Sequence, residues 1–260
     1  METHCCFNTG DKCFKSPRIH VPLAEKCSLG CVYCGYKKDH NITKSKTRPG
    51  VAINAINKKE DIRDYLKQAI SEYPETKIVG VSGPGDPLEN IESLCFLADI
   101  IKEENYNVCL CICTNGRCFF ENGIKIIKTG LVDYMTFTVN TLDPSKIPQI
   151  YNQFNNKSAI ECSEFIHSQL NAIKYCKDNG IKVKVNTVLL DDISINDIRN
   201  LYNKLLDLGV DCFNLLPKVD TSIDNKIEDT RRNNLYNELK SQGFKMTRQC
   251  NLCRSDFCGY

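Results

Sequence analysis

Short runs rich in β-branched and other apolar residues alternate with amphipathic stretches through most of this sequence. RIHVPLA (18–24), KIVGVSG (77–83), NVCLCICT (107–114), DYMTFTVN (133–140), KVKVNTVLL (182–190) and CFNLLPKV (212–219) carry the signature of strands. Between them, stretches around 58–72, 88–104, 119–129, 159–179, 193–208 and 228–242 place apolar residues at helical spacing. Six such units predict right-handed crossovers, a parallel sheet and an α/β fold, an open partial (β/α)6 barrel. No internal repeat, low-complexity tract or Pro/Ser-rich linker interrupts the alternation, so one core over 18–246 is the economical division. Residues 1–17 and 247–260 are cysteine-rich and aperiodic, which predicts loops folded over the barrel mouth.

Composition narrows the class. At 260 residues the chain is long enough for one sizeable core. The formal net charge is +2, with both signs spread along the chain, and the aromatic residues are dispersed; neither argues for a nucleic-acid partner. The lysine-rich KKDHNITKSKTR reads equally as an anion-attracting or a solvated loop. There is no apolar run long enough for a membrane span, and METHCCFNTGDK lacks the apolar core of a signal peptide. The expected location is the cytoplasm, where thiols stay reduced. There, 17 cysteines argue for metal rather than disulfides, with some serving as small buried residues.

The chemistry concentrates in KCSLGCVYCGY. Cys27, Cys31 and Cys34 stand at C-x3-C-x2-C spacing, and three thiolates ligate three irons of a cubane cluster while leaving the fourth open. A cluster that only carries electrons normally has every iron ligated by protein, so an incomplete set points to chemistry. Half of a zinc knuckle, paired cysteines or merely buried ones are the competing readings. The spacing, with Tyr33 before the third cysteine and a strand before the first, resembles the radical S-adenosylmethionine (SAM) enzymes. That resemblance implies a SAM-binding 4Fe-4S cluster on these three cysteines, its open iron chelating SAM.

In barrels of this kind the site lies at the carboxyl ends of the strands. After the second strand, SGPGDPLEN presents Gly83 and Gly85 in a rigid turn whose carbonyls suit SAM's ammonium, and Asp86 joins this candidate set. The competing reading is an ordinary turn before a helix, with Asp86 as its cap. Asn115, Asn140 and Asn186 fall at or near the ends of the third, fourth and fifth strands. They are turn formers, or amides suited to a ribose hydroxyl or carboxylate of the cofactor.

Beyond the superfamily, RIHVPLAEKCSLGCVYC, TRPGVAI, VGVSGPGDPLEN, LCICTNG, VNTLDP, IKVKVNTVLL, FNLLP and RQCNLCRSD resemble, in order and spacing, the NifB family of nitrogenase cofactor assembly. The resemblance covers residues 4 to 258. It implies an enzyme that joins two 4Fe-4S precursor clusters into an eight-iron core around a carbide drawn from SAM's methyl group. A second SAM gives the 5′-deoxyadenosyl radical that abstracts hydrogen from that methyl. Carried over by motif, Cys6, Cys111 and Cys253 match the ligands of one precursor cluster, and His20 and Cys250 match two of the other. A strand histidine by itself reads as a hydrogen-bonded core residue, and the terminal C-x2-C as half a zinc site. The implied partners are a low-potential electron donor such as ferredoxin or flavodoxin, an iron-sulfur cluster donor and a downstream cofactor carrier. The sequence ends soon after Cys258, so the carboxyl-terminal carrier domain of longer relatives is expected to be absent.

Two positions depart from the family. His40 stands where NifB has a cysteine ligand of the histidine-bound cluster, and Lys46 stands where it has a glutamate. Histidine still ligates iron, with less thiolate charge; an ammonium cannot accept a proton as a carboxylate does. Both leave open a diverged radical SAM enzyme with another radical reaction, and outside catalysis an iron-sulfur scaffold or carrier. Of the other cysteines, Cys95, Cys109, Cys176 and Cys212 read as core packing, and Cys162 is uninformative. Cys5, Cys13, Cys113, Cys118 and Cys258 lie near the proposed ligand segments.

Overall fold

In a computed structural model, the structure describes residues 7, 18–34, 55–81, 83, 85–218 and 225–247. Seven strands form one parallel sheet in sequence order: β1 (Arg18–Val21), β2 (Ile78–Val81), β3 (Cys109–Thr114), β4 (Val132–Thr138), β5 (Lys182–Leu189), β6 (Cys212–Pro217) and β7 (Met246–Thr247). The edge strands β1 and β7 do not pair, so the barrel is open. All six expected strands are present; the added seventh is two residues long, too short to leave a periodic signature.

The helices lie between strands: α1 (Lys59–Glu72), α2 (Ile91–Glu103), α3 (Ile124–Ile127), α4 (Ile147–Ile150), α5 (Ala159–Asp178), α6 (Ile195–Asp207) and α7 (Asn225–Ser241). Ser158 with Glu161, and Ser194 with Asp197, form reciprocal capping boxes that start α5 and α6. The stretch expected as one helix over 88–104 breaks at Asn90 into a 3-10 turn (Pro87–Glu89) and α2. The one expected over 119–129 opens as a π-turn (Phe119–Gly123) before α3, and Phe119's ring packs so tightly on Gly123 that a Cβ there would fall 2.6 Å from it.

Alternation along the strands divides the sheet into two faces. Val79, Val81, Leu110, Ile112, Val183, Val185, Phe213 and Leu215 pack outward with the helices in the main core. Cys111, Ile78 and Tyr134 form a second small cluster on the inner face, with Cys109 and Phe7 against it. Cys109 packs against this inner cluster rather than the helical core, which corrects its expected role; Cys212 is fully buried at the start of β6, and Cys176 and Cys162 join the main core. Of the amino-terminal segment, Phe7 enters the lumen, its ring 4.9 Å from Tyr134 and 5.5 Å from the Lys184 ammonium.

Candidate active site

The cysteine loop follows β1 at the carboxyl end of the sheet. Leu29 is buried, and Gly30 turns the chain at φ +65°. The outer side of the loop is held by the segment after β4: Val32 donates to Ile150 O at 2.9 Å and Asn152 to Gly30 O at 3.0 Å, and Cys31 bridges to Tyr151. Cys34 N closes onto Cys31 O at 3.0 Å. Cys27, Cys31 and Cys34 are all half-buried and close enough to interact electrostatically. Burial pushes the Cys27 thiol up to about 11 and Cys31 up to about 12, with neighbouring acids and thiols adding to the effect. A bound cationic cluster core would reverse that preference, and its binding would release protons.

This donor set fits an iron-sulfur cubane. Each cysteine of a cubane binds its own iron, so the sulfurs need not meet at one point. Among the described residues no three His, Cys, Asp or Glu groups converge on a single ion, which is the arrangement a mononuclear site needs.

The turn after β2 grips this loop from below. Gly85 N donates to Ala24 O at 2.6 Å and Asp86 N to Lys26 O at 2.8 Å. The Asn90 amide accepts from Glu25 N (3.2 Å) and Lys26 N (3.1 Å), and donates to Lys26 O (3.0 Å) and Asp86 O (2.7 Å). Glu89 accepts from Ser28 N at 2.8 Å and Ser28 Oγ at 3.0 Å, and Arg117 bonds the same hydroxyl. Gly85 and Asp86 therefore face the cysteine loop, while a Cβ on Gly83 would meet nothing within 4 Å. Glu89, Asn90 and Ser28 escaped sequence reasoning because the contacts that join the turn to the cysteine loop span more than 60 residues; the dense run of turn formers was the available signal.

Asp86 is buried and caps the 3-10 turn, accepting from Leu88 N at 2.9 Å. It also accepts from Thr114 Oγ1 at 2.9 and 3.0 Å and from Asn115 N at 2.6 Å. Both oxygens are engaged within the protein, joining the ends of β2 and β3 to the cysteine loop. Burial raises this carboxyl from 3.8 to about 6, partly opposed by the hydrogen bonds. Between those values the folded state binds more protons than the unfolded, so stability falls as pH rises, by roughly 3 kcal/mol in all. Denaturation from pH 4 to 7 should show this slope in the wild type and lose it in Asp86→Asn; an unchanged slope in the variant would assign it to another group.

The three asparagines play different parts. Asn115 Nδ2 lies 3.8 Å from Cys27 Sγ, its Oδ1 accepts from Arg117 N at 2.8 Å, and Gln169 Nε2 donates to its carbonyl at 2.6 Å. Asn140, 1% exposed, donates to the Tyr33 and Tyr151 hydroxyls, both at 2.9 Å, and accepts from Val188 N. It reaches the loop through Tyr33, whose hydroxyl bonds the Cys31 thiol. Asn186 accepts from Asn214 Nδ2 at 3.1 Å on the lumen face.

Deeper in the lumen, His20, Gly80 and Cys111 lie side by side on successive strands. A Cβ on Gly80 would come within 2.9 Å of the His20 ring, so the glycine leaves room for the imidazole to lie across β2. Arg18 bonds His20 Nε2, and Tyr65 donates to the His20 carbonyl at 2.8 Å. His20 and Cys111 are both buried. Cys6, His40, Cys250 and Cys253, together with Lys46, lie outside the described residues.

Comparison with known proteins places these features. The Radical SAM superfamily model matches residues 21–205. The chain is 30% identical over 266 residues to "FeMo cofactor biosynthesis protein NifB" of Methanocaldococcus jannaschii, covering 99% of this chain and 86% of that protein. It is 26% identical to the protein of the same name from Chlorobaculum tepidum, spanning all of this chain but 62% of that one. Among solved structures, Streptococcus suis SuiB aligns at a TM-score of 0.62 and 17% identity, covering 90% of this chain and 49% of that one. Methylornithine synthase (PylB) aligns at 0.55 and 16%, covering 78% and 53%. Both share the fold.

Proposed function

Because this chain belongs to the radical SAM superfamily and, within it, to the NifB family, we propose that it is a radical SAM enzyme of nitrogenase iron-molybdenum cofactor assembly. Its substrates are two 4Fe-4S clusters, fused into an eight-iron core with carbon from the SAM methyl group as the central carbide. The observation that carries this reading is the gathering of three half-buried cysteines at the mouth of a lumen that contains His20 and further thiols.

Cys27, Cys31 and Cys34 hold the SAM-binding cluster, which supplies the electron for reductive cleavage when bound. The protein's own contribution is position. Asp86, Glu89 and Asn90 fix the cysteine loop, Asn115 orients Cys27, and Tyr33, aligned by Asn140, orients Cys31. Gly83 leaves open backbone for the ammonium of SAM. Cys6, Cys111 and Cys253 hold one substrate cluster; His20, Cys250 and His40 hold the other. A ferredoxin or flavodoxin supplies electrons, an iron-sulfur donor loads the substrate clusters, and a downstream carrier takes the product. No helix among the described residues is long and apolar enough to cross a membrane.

Adding SAM and dithionite to the anaerobically loaded chain tests this directly. Methyl transfer followed by hydrogen abstraction yields both S-adenosylhomocysteine and 5′-deoxyadenosine. 5′-Deoxyadenosine alone would mean another radical reaction; neither product would mean a scaffold or carrier.

A further inference from the structure

Beside Cys111 the lumen holds a second thiol. Cys111 and Cys113 are two residues apart on β3, so strand alternation puts both side chains on the inner face. Positive charge reaches the pair from both directions along the sheet, from Arg18 on β1 and Lys184 on β5. Thr136, directly across from Cys113 on β4 and 1% exposed, has a buried hydroxyl with no hydrogen-bond partner, a polar atom left over for a ligand. Phe7 and Tyr134 close the lumen toward the start of the strands. The result is a paired-thiol recess with cationic flanks and an apolar floor, suited to an anionic iron-sulfur species.

We propose that Cys113 is a second terminal ligand for the iron-sulfur substrate held by Cys111, so that ligation passes between the two thiols while the cluster stays bound. This rests on the reading that a precursor cluster enters the lumen. In the exchange the iron bond to Cys113 forms as that to Cys111 breaks, and the proton released by Cys113 is taken up by the departing Cys111 sulfur. No electron is gained or lost. Cys113 is nearer the carboxyl end of β3, so the exchange carries the ligand point about 6.6 Å along the strand toward the SAM-binding loop. Lys184 and Arg18 offset the thiolate charge throughout.

The test compares the full wild-type chain with Cys111→Ala, Cys113→Ala, Cys113→Ser and the double alanine variant, all loaded anaerobically with iron and sulfide. Iron per chain and Mössbauer spectra are read, and retention of the Cys27, Cys31 and Cys34 cluster reports that each variant has folded. Cys111→Ala is expected to keep the lumen cluster with an altered spectrum, and the double variant to lose about four irons. The proposal is overturned if Cys111→Ala alone empties the site or if the double variant binds as much iron as Cys111→Ala. A wild-type chain that takes up only about four irons defeats the precursor-cluster reading and this one together, before any variant is compared.

Discussion

Cys31→Ala is expected to leave a folded chain that makes no 5′-deoxyadenosine above background. The backbone around position 31 is held independently of its thiol, by the Val32–Ile150 and Asn152–Gly30 hydrogen bonds and the bridge to Tyr151. The loop therefore keeps its path while the cluster loses one of three protein ligands. Circular dichroism should match the wild type, and the cluster's absorption and iron should be lost. Tyr33→Phe removes the hydroxyl bonded to Cys31 and leaves the ligand, so it should weaken cluster affinity by roughly 10–100-fold. If Cys31→Ala still cleaved SAM at the wild-type rate, another residue would hold that iron.

The second large effect is expected at Gly85. A Cβ there would stand within 2.6 Å of the Lys26 carbonyl carbon and 2.9 Å of its nitrogen, and closer still to its oxygen. All three are backbone atoms, with no flexible side chain to swing aside. Gly85→Ala must push the two loops apart and lose the bonds to Ala24 and Lys26. Two lost hydrogen bonds and a forced backbone shift together cost roughly 2–5 kcal/mol. Thermal unfolding should fall accordingly, and the cysteine loop should no longer retain iron. Gly83→Ala is the contrast. Its Cβ enters open space, so stability should stay within about 0.5 kcal/mol of wild type. SAM affinity should fall there instead. Equal melting temperatures for Gly85→Ala and wild type would show that the loops do not depend on this close approach.

The strands were legible because β-branched residues recur in short, well-separated runs. Their parity also held a signal that a residue-by-residue reading overlooked: Cys109 shares its face with Cys111. Helix interruptions were not legible. Asn90 ends one helical segment and precedes the next because its amide is committed to Glu25 and Lys26, a contact that local sequence does not encode. α4 is only four residues long, too short for a helical period. The cysteine spacing identified the loop, but the means of holding it in place lay in distant residues. Asp86 and Asn140 stood out as cofactor candidates by position, yet their polar atoms are engaged with the protein, and they act on the loop rather than reaching past it.

The most direct test of a radical SAM enzyme that works on iron-sulfur substrates is iron and sulfide per chain after anaerobic reconstitution. Three clusters predict about twelve irons, of which about eight remain when Cys27, Cys31 and Cys34 are all replaced by alanine. A wild-type chain holding about four irons, all lost in that triple variant, would contradict the account and leave only the SAM-binding cluster.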